Sequence, residues 1–231
     1  MHSFFKKTYK GLIVSCQAEG DSPFNNPHAV ASFAVCAEMG GASAIRTEGI
    51  QNIMAIKQKV SLPLIGLVKS GYPDGTVRIT GSWQDAEALI DAGCDMIAID
   101  GTFRLREEMT GPEFIAMAKK KFPVLIMADI ATHAEAVACR EAGADCISTT
   151  LSGYTPETAS TDMHGPDFDL LRLLAQDFGN SLPVFAEGRY NTPELARQAI
   201  ETGAWAVVTG TAITRPQTIT KWFYDAINKK I

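Results

Sequence analysis

No apolar run in this chain of 231 residues approaches the roughly 20 needed to cross a bilayer, so the sequence offers no membrane-spanning helix. There is no C-x-x-C pair. Cys16, Cys36, Cys94, Cys139 and Cys146 stand apart in apolar or small-residue contexts, as reduced, packed thiols of a cytoplasmic protein would. No H-x-x-x-H or Cys/His ligand spacing joins His2, His28, His133 and His164, so no dedicated metal site is expected. Basic tracts and basic–aromatic stripes are also missing, and a net charge of −5 is spread over interspersed acids and bases, which argues against nucleic acid as a partner. The opening MHSFFKKTYKGLIVSC carries charge before a short apolar run but lacks a small-residue cleavage pattern, so LIVSC reads as a first strand, not a signal core.

What is present is a set of eight apolar runs, each stopping at a polar or glycine residue. LIVSC leads to Gln17, SAI to Arg46 and Glu48, LIGLV to Lys69, and MIAI to Asp100. VLIMA leads to Asp129, CIS to Thr149 and Thr150, VFA to Glu187 and Gly188, and AVVTG to Gly210. Two repeats interleave along the chain. One is a helix end, a glycine and a strand, as in EMGGASAIR, DAGCDMIAID, EAGADCISTT and ETGAWAVVTG. Glycine there fits a left-handed helix C-cap. The other is a proline before a strand, at Pro63, Pro123 and Pro183, spaced by 60 residues, where a missing N–H does no harm.

With GLIVSCQ completing the set, the implied unit is (βα)₂ taken four times. Strand and helix alternating eight times give a parallel sheet with right-handed crossovers. A doubly wound open sheet alternates in the same way, but reactive residues on nearly every strand end favour closure into a (β/α)₈ TIM barrel, one domain over residues 1–231. Helical spacing is clear in PHAVASFAVCAEMG, SWQDAEALIDAG, PEFIAMAKKKF, HAEAVACREAG, DFDLLRLLAQDFG, TPELARQAIETG and a terminal PQTITKWFYDAINKK. Ser82 and Thr192 stand at N-cap positions. Trp222, Phe223, Tyr224 and Ile227 on the terminal helix are expected to pack on their own barrel, with exchange across a dimer interface as the alternative. Residues 70–82 and 151–167 are longer than a barrel connection needs and are candidate lids.

Lys69 at the end of a buried strand is either an ion-pair partner or a catalytic amine. Asp129 and Glu187 end the next two proline-led strands, so all three converge on one barrel mouth, where burial and neighbours tune acid–base groups. Arg46 pairs with Glu48 or acts in the mouth, and Asp100 either acts there or ties down a loop. The glycines of AEGR and VVTGTAIT end the seventh and eighth strands, where barrels often cradle phosphate. Gly188, Gly210 and Thr211 are therefore the phosphate candidates, with Arg215 either adding charge or lying on the surface.

GLIVSCQ, AIRTEGI, LIGLVK, VRIT, MIAIDGTFR, TTLSGYT, AEGRYNTPE and GAWAVVTGTAITRP together resemble the bacterial N-acetylmannosamine-6-phosphate 2-epimerases, from about residue 11 to residue 231. The resemblance implies a (β/α)₈ barrel of sialic acid catabolism that interconverts N-acetylmannosamine 6-phosphate and N-acetylglucosamine 6-phosphate. It implies no organic cofactor and a homodimer or larger homo-oligomer. It implies acid–base roles for Lys69 and Glu187 and substrate contacts at Gln17, Arg46, Asp129 and Arg215. The loop QAEGDSPFNNP and the stretch TPETASTDMHGPD depart most from the family, which bears on loop geometry. Two rival readings remain: a Schiff-base aldolase or lyase using Lys69, and a phosphosugar sensor that needs the cradle but no acid–base pair.

Overall fold

The computed structural model describes residues 1–74, 76–159, 165–179 and 181–228. Its strands are β1 (Leu12–Ser15), β2 (Ala44–Glu48), β3 (Leu64–Leu67), β4 (Lys69–Gly71), β5 (Val77–Ile79), β6 (Met96–Asp100), β7 (Leu125–Asp129), β8 (Cys146–Ser148), β9 (Val184–Glu187) and β10 (Ala206–Thr209). Its helices are α1 (Ser3–Thr8), α2 (Pro27–Met39), α3 (Ile50–Lys57), α4 (Trp83–Asp91), α5 (Gly111–Lys121), α6 (His133–Glu141), α7 (Phe168–Phe178), α8 (Pro193–Thr202), α9 (Thr211–Thr214) and α10 (Pro216–Asn228).

Eight strands close a parallel barrel in the order β1-β10-β9-β8-β7-β6-β3-β2, the expected (β/α)₈ architecture. The closing pair sets Leu12 beside Val207 and Val14 beside Thr209. Both repeats have their structural reason. Gly41, Gly93, Gly143 and Gly203 take φ of +87°, +80°, +90° and +114°, so each helix turns back to its strand through a left-handed residue. Pro63 and Pro183 directly precede β3 and β9, and Pro123 stands two residues ahead of β7. Ser82 and Thr192 cap α4 and α8 by accepting from the N–H groups of Asp85 and Leu195.

Alternation along each strand sorts the side chains into two cores. Ile13, Ala44, Met96, Ala98, Met127, Cys146, Phe185 and Val208 fill the barrel. Val14, Ile45, Ile97, Ala128, Ile147 and Ala186 pack outward against the helices. Two residues beyond the lower inner layer, the same alternation turns Ser15, Arg46, Asp129, Ser148 and Glu187 inward at the C-terminal rim. The opposite end is closed by α1, which has no counterpart among the expected helices. Its Phe4 and Phe5 are buried, and the Phe5 ring lies 6.4 Å from both Phe185 and Trp205. Trp205 Nε1 donates to the Phe5 carbonyl at 3.1 Å, so the plug is also pinned by a buried hydrogen bond.

Three expectations are corrected. The apolar run LIGLVK is not one strand: β3 ends at Leu67, and Lys69 opens an antiparallel hairpin in which Lys69 faces Ile79 and Gly71 faces Val77. Residues 70–82, expected as a lid loop, are therefore largely this hairpin. The terminal helix does not pack on its own barrel. Pro216 starts a new helix after α9, and none of the described residues of α10 is buried; Phe223, Tyr224 and Ile227 are 69%, 64% and 79% exposed. Of the second candidate lid, residues 160–164 (and with them His164) lie outside the described residues, as do Lys229 and Lys230 of the terminal segment.

Candidate active site

The rim of the barrel encloses a cavity into which Gln17, Arg46, Lys69, Glu187, Gly188, Gly210, Thr211 and Arg215 all face. Eight of the nine expected site residues are thus brought together. The ninth, Asp129, is not in the cavity wall. It is fully buried and paired with Arg46, which does line the cavity.

Arg46 is the centre of the inner cluster. Its Nη2 lies 2.5 Å from Asp129 Oδ2 and its Nη1 3.2 Å from Asp129 Oδ1, a two-point grip across the barrel from β2 to β7. Its Nε stands 3.2 Å from Glu187 Oε1 but is not aligned for a hydrogen bond. The expected partner Glu48 plays no part in this. Thr150 follows β8 and reaches both acids, donating or accepting at 2.8 Å from Asp129 and 3.1 Å from Glu187. Ser148 lies 2.8 Å from Thr150 and 3.2 Å from Glu187. Thr149, on the other side of the strand, accepts from the Glu187 backbone N–H at 3.1 Å and donates to its carbonyl at 2.8 Å, which holds β9 in place.

Burial pushes the Glu187 carboxyl above its ordinary range; Arg46 pulls it down, and the neighbouring Asp129 pushes it up again. Burial likewise raises Asp129 against the pull of Arg46. Arg46 itself is held more firmly protonated: burial works against its charge, but Asp129 and Glu187 outweigh it.

The outer cluster has a different make-up. Lys69 Nζ contacts Glu19 from the β1–α2 loop and lies 3.7 Å from Glu48 Oε2. Glu19 also holds Arg215 Nη2 at 3.1 Å, so one carboxylate clasps two cations across the mouth. Burial raises the Glu19 carboxyl, but its contacts with Lys69 and Arg215 more than reverse this and lower it. Lys69 is 31% exposed, not buried as a strand-end residue would be, because the hairpin carries it out over the rim. Arg215 is likewise in the wall and not a bystander of the last helix.

Gly188 has φ +107°, a backbone conformation that glycine adopts without steric cost. A Cβ on Gly210 would sit 3.2 Å from that of Ser15. Gly210 caps α9, its carbonyl accepting from the N–H groups of Ile213 and Thr214 at 2.9 Å, and Gly210 and Thr211 line the cavity. Asp100 lies outside the cavity wall and does tie down a loop: Oδ1 accepts from Thr102 N–H at 3.0 Å and from Arg106 at 2.9 Å, and Oδ2 from Arg104 at 2.7 Å.

Sequence reasoning missed Glu19, Arg189 and Tyr154. Arg189 follows Gly188 with φ +63°, donates to the carbonyls of Gly165 and Ser152 at 2.6 and 3.0 Å, and lies over the Tyr154 ring at 5.2 Å. Its signal was its place next to a strand-end glycine. Glu19 had none, since it lies in a loop away from any strand end. Among the described residues no group of three or more His, Cys, Asp or Glu side chains has the arrangement to hold a metal ion.

The chain resembles known proteins over most of its length. A family model described as "Putative N-acetylmannosamine-6-phosphate epimerase" matches residues 30–229. A "Putative N-acetylmannosamine-6-phosphate 2-epimerase" of Caldanaerobacter subterraneus subsp. tengcongensis is 45% identical over 227 residues, 97% of this chain and 94% of that protein. One of the same description from Shouchella clausii is 43% identical over 98% of this chain and all of its own length. The solved N-acetylmannosamine-6-phosphate 2-epimerase of Clostridium perfringens superimposes with a TM-score of 0.90 at 39% identity, covering 97% of this chain and 96% of that one. A thiamine phosphate pyrophosphorylase from Pyrococcus furiosus, 16% identical with a TM-score of 0.63, shares the fold alone.

Proposed function

We propose, from the premise that this chain belongs to the N-acetylmannosamine-6-phosphate epimerase family, that it is an isomerase interconverting N-acetylmannosamine 6-phosphate and N-acetylglucosamine 6-phosphate. The observation that carries the reading is the convergence of Lys69, Glu187 and Arg46 with a glycine-lined anion cradle on a single cavity. In the open-chain sugar, carbon 2 lies next to the aldehyde, so its proton is acidified and an enolate is within reach. Lys69 and Glu187 exchange protons at carbon 2, each contributing roughly 10²–10⁴-fold. Arg46 and Gln17 face the sugar, and the Arg46 Nε–H, which has no aligned partner, is a donor for the developing negative charge. Gly188, Gly210, Thr211 and Arg215 hold the phosphate and so fix the distance of the reacting carbon from the base. The reaction needs no organic cofactor and belongs to sialic acid breakdown in the cytoplasm.

The test is direct. Incubation with N-acetylmannosamine 6-phosphate, followed by proton NMR, yields the glucosamine epimer, with deuterium at carbon 2 when the solvent is heavy water. A turnover without exchange would rule out deprotonation. Borohydride fails to trap substrate on Lys69, whereas a Schiff-base lyase would be trapped.

The same reading includes a homodimer built by exchange of α10. A groove beside β10, lined by Leu12, Pro193, Ala196, Ala212 and Ile213, faces the place where a last barrel helix would pack, while α10 presents Trp222, Phe223, Tyr224 and Ile227 unburied. Light scattering on the whole protein gives twice the chain mass; a monomer at micromolar concentration would reject the exchange.

A further inference from the structure

Glu19 reaches the mouth from a loop that is otherwise knit to itself. Between β1 and α2, the Ser22 N–H donates to the Glu19 carbonyl at 3.3 Å and Asn25 Nδ2 to the Gly20 carbonyl at 3.0 Å. Gly20 turns the chain with φ +57°, and the Phe24 ring lies 5.0 Å from that of Phe33 on α2. Among the described residues, the hydrogen bonds of residues 18–25 stay within residues 19–26, save those of the Glu19 carboxylate. That carboxylate alone ties the loop to the other walls of the mouth, with one oxygen on Lys69 and the other 3.1 Å from Arg215 Nη2.

The two cations it holds are the ones the cavity can offer an incoming anion. Arg46 and Arg189 also line the wall, but Asp129 engages Arg46, and Arg189 donates to the carbonyls of Gly165 and Ser152. Lys69 and Arg215 are half-buried, and besides Glu19 only the Glu48 carboxylate stands near, 3.7 Å from Lys69. Burial would raise the Glu19 carboxyl, but the two cations outweigh it. The loop thus brings an anion to the place where a substrate's phosphate would be gripped.

We propose that Glu19 is a built-in competitor for that phosphate, keeping Lys69 and Arg215 occupied in the empty enzyme until a dianion at Arg215 expels it and frees Lys69. The inference rests on the reading of Arg215 as a phosphate contact. A dianion attracts the guanidinium more strongly than one carboxylate does, and it repels that carboxylate. With one cation lost and a like charge beside it, Glu19 leaves Lys69 as well. Contacts this exposed are weak enough to exchange. A neutral sugar brings no charge that could do the same. The dianion need not be joined to the sugar, however, so a free one gives the enzyme a further activity: epimerisation of N-acetylmannosamine itself.

Inorganic phosphite is the probe, a small dianion that carries no sugar. In heavy water, deuterium enters carbon 2 of N-acetylmannosamine roughly 10-fold faster at saturating phosphite than without it. Glu19→Gln keeps the shape and removes the charge. By calorimetry it binds phosphite about 3–10-fold more tightly, its exchange without phosphite starts faster, and phosphite adds less than about 2-fold. Glu19→Ala shows the same pattern. Phosphite that binds Glu19→Gln no more tightly than the unaltered protein overturns the proposal. So does a full activation that survives in Glu19→Gln, or a protein that turns over the phosphosugar yet leaves N-acetylmannosamine untouched by phosphite. Tighter binding in the variant with no exchange on either sugar upholds Glu19 as the competitor and rejects the epimerase reading, because binding needs no turnover.

Discussion

Two ionic clusters share one barrel mouth and are built from opposite materials. Arg46, Asp129 and Glu187 come from strands β2, β7 and β9; Arg46 and Asp129 are 1% and 0% exposed, and strand pairing fixes their positions. Lys69, Glu19 and Arg215 come from a hairpin, a loop and the approach to α10, and 31%, 44% and 32% of their side chains meet solvent. In the inner cluster a charge without its partner is expensive, since water cannot replace what is removed. In the outer cluster water and salt screen the same charges, so contacts form and break at little cost. The mouth therefore pairs a preset wall with an adjustable one, and the reacting carbon would lie between them.

Exchanging one residue at a time across this divide separates function from stability. The largest effect expected is on turnover: Lys69→Ala loses about 10²–10⁴-fold in kcat with almost no change in unfolding free energy, measured by NMR assay and by denaturant titration. Near-normal turnover would remove Lys69 from the chemistry. Arg46→Ala acts on the fold as well as on turnover, costing about 3–5 kcal/mol in the same titration because Asp129 is left buried without its cation. A loss below about 1 kcal/mol would place Arg46 with the outer cluster.

A smaller effect is the response to pH. The folded-state midpoint of Glu187 lies above its unfolded value of 4.5, so the native state holds its proton longer. Its contribution to stability is full below the unfolded midpoint and is lost as pH rises through the folded one. Thermal unfolding from pH 4 upward traces that loss, and Glu187→Gln flattens its share of the slope; an unchanged slope would assign the effect to other groups. The smallest effect belongs to Glu19→Gln, which changes stability by less than about 1 kcal/mol. It alters the KM for the phosphosugar in a salt-dependent way, because Glu19 no longer competes for Arg215 and Lys69. A KM unaffected at low and high salt would show that the clasp has no part in binding.

The inner cluster was far more legible in the sequence than the outer one, for the same physical reason. Arg46, Asp129 and Glu187 stand at the ends of apolar runs, and a two-residue alternation leaves a strand-end side chain few directions to take. What alternation does not carry is depth: Asp129 and Glu187 end their strands alike, yet of the two only Glu187 lines the cavity, while Asp129 is fully buried against Arg46. Lys69 reads in the sequence as the end of a strand, but β3 stops at Leu67 and Lys69 opens the hairpin. The Pro73–Asp74–Gly75 turn signal between KSG and VRI was present and marks the hairpin. Helix α1 was not visible, since six residues with adjacent phenylalanines show no helical period. The left-handed glycines and strand-entry prolines were legible because each does one local thing wherever it occurs.

Closure of the barrel through β1 and β10 also orders events during synthesis. Residues 12–14 wait for residues 207–209, so on the ribosome β1 keeps one unpaired edge until β10 has emerged. Gly210, Thr211 and Arg215 arrive at that same moment. The segment that seals the barrel is thus also the segment proposed to grip the phosphate, and a nascent chain stalled before Thr209 has neither a closed wall nor an anchor for its substrate.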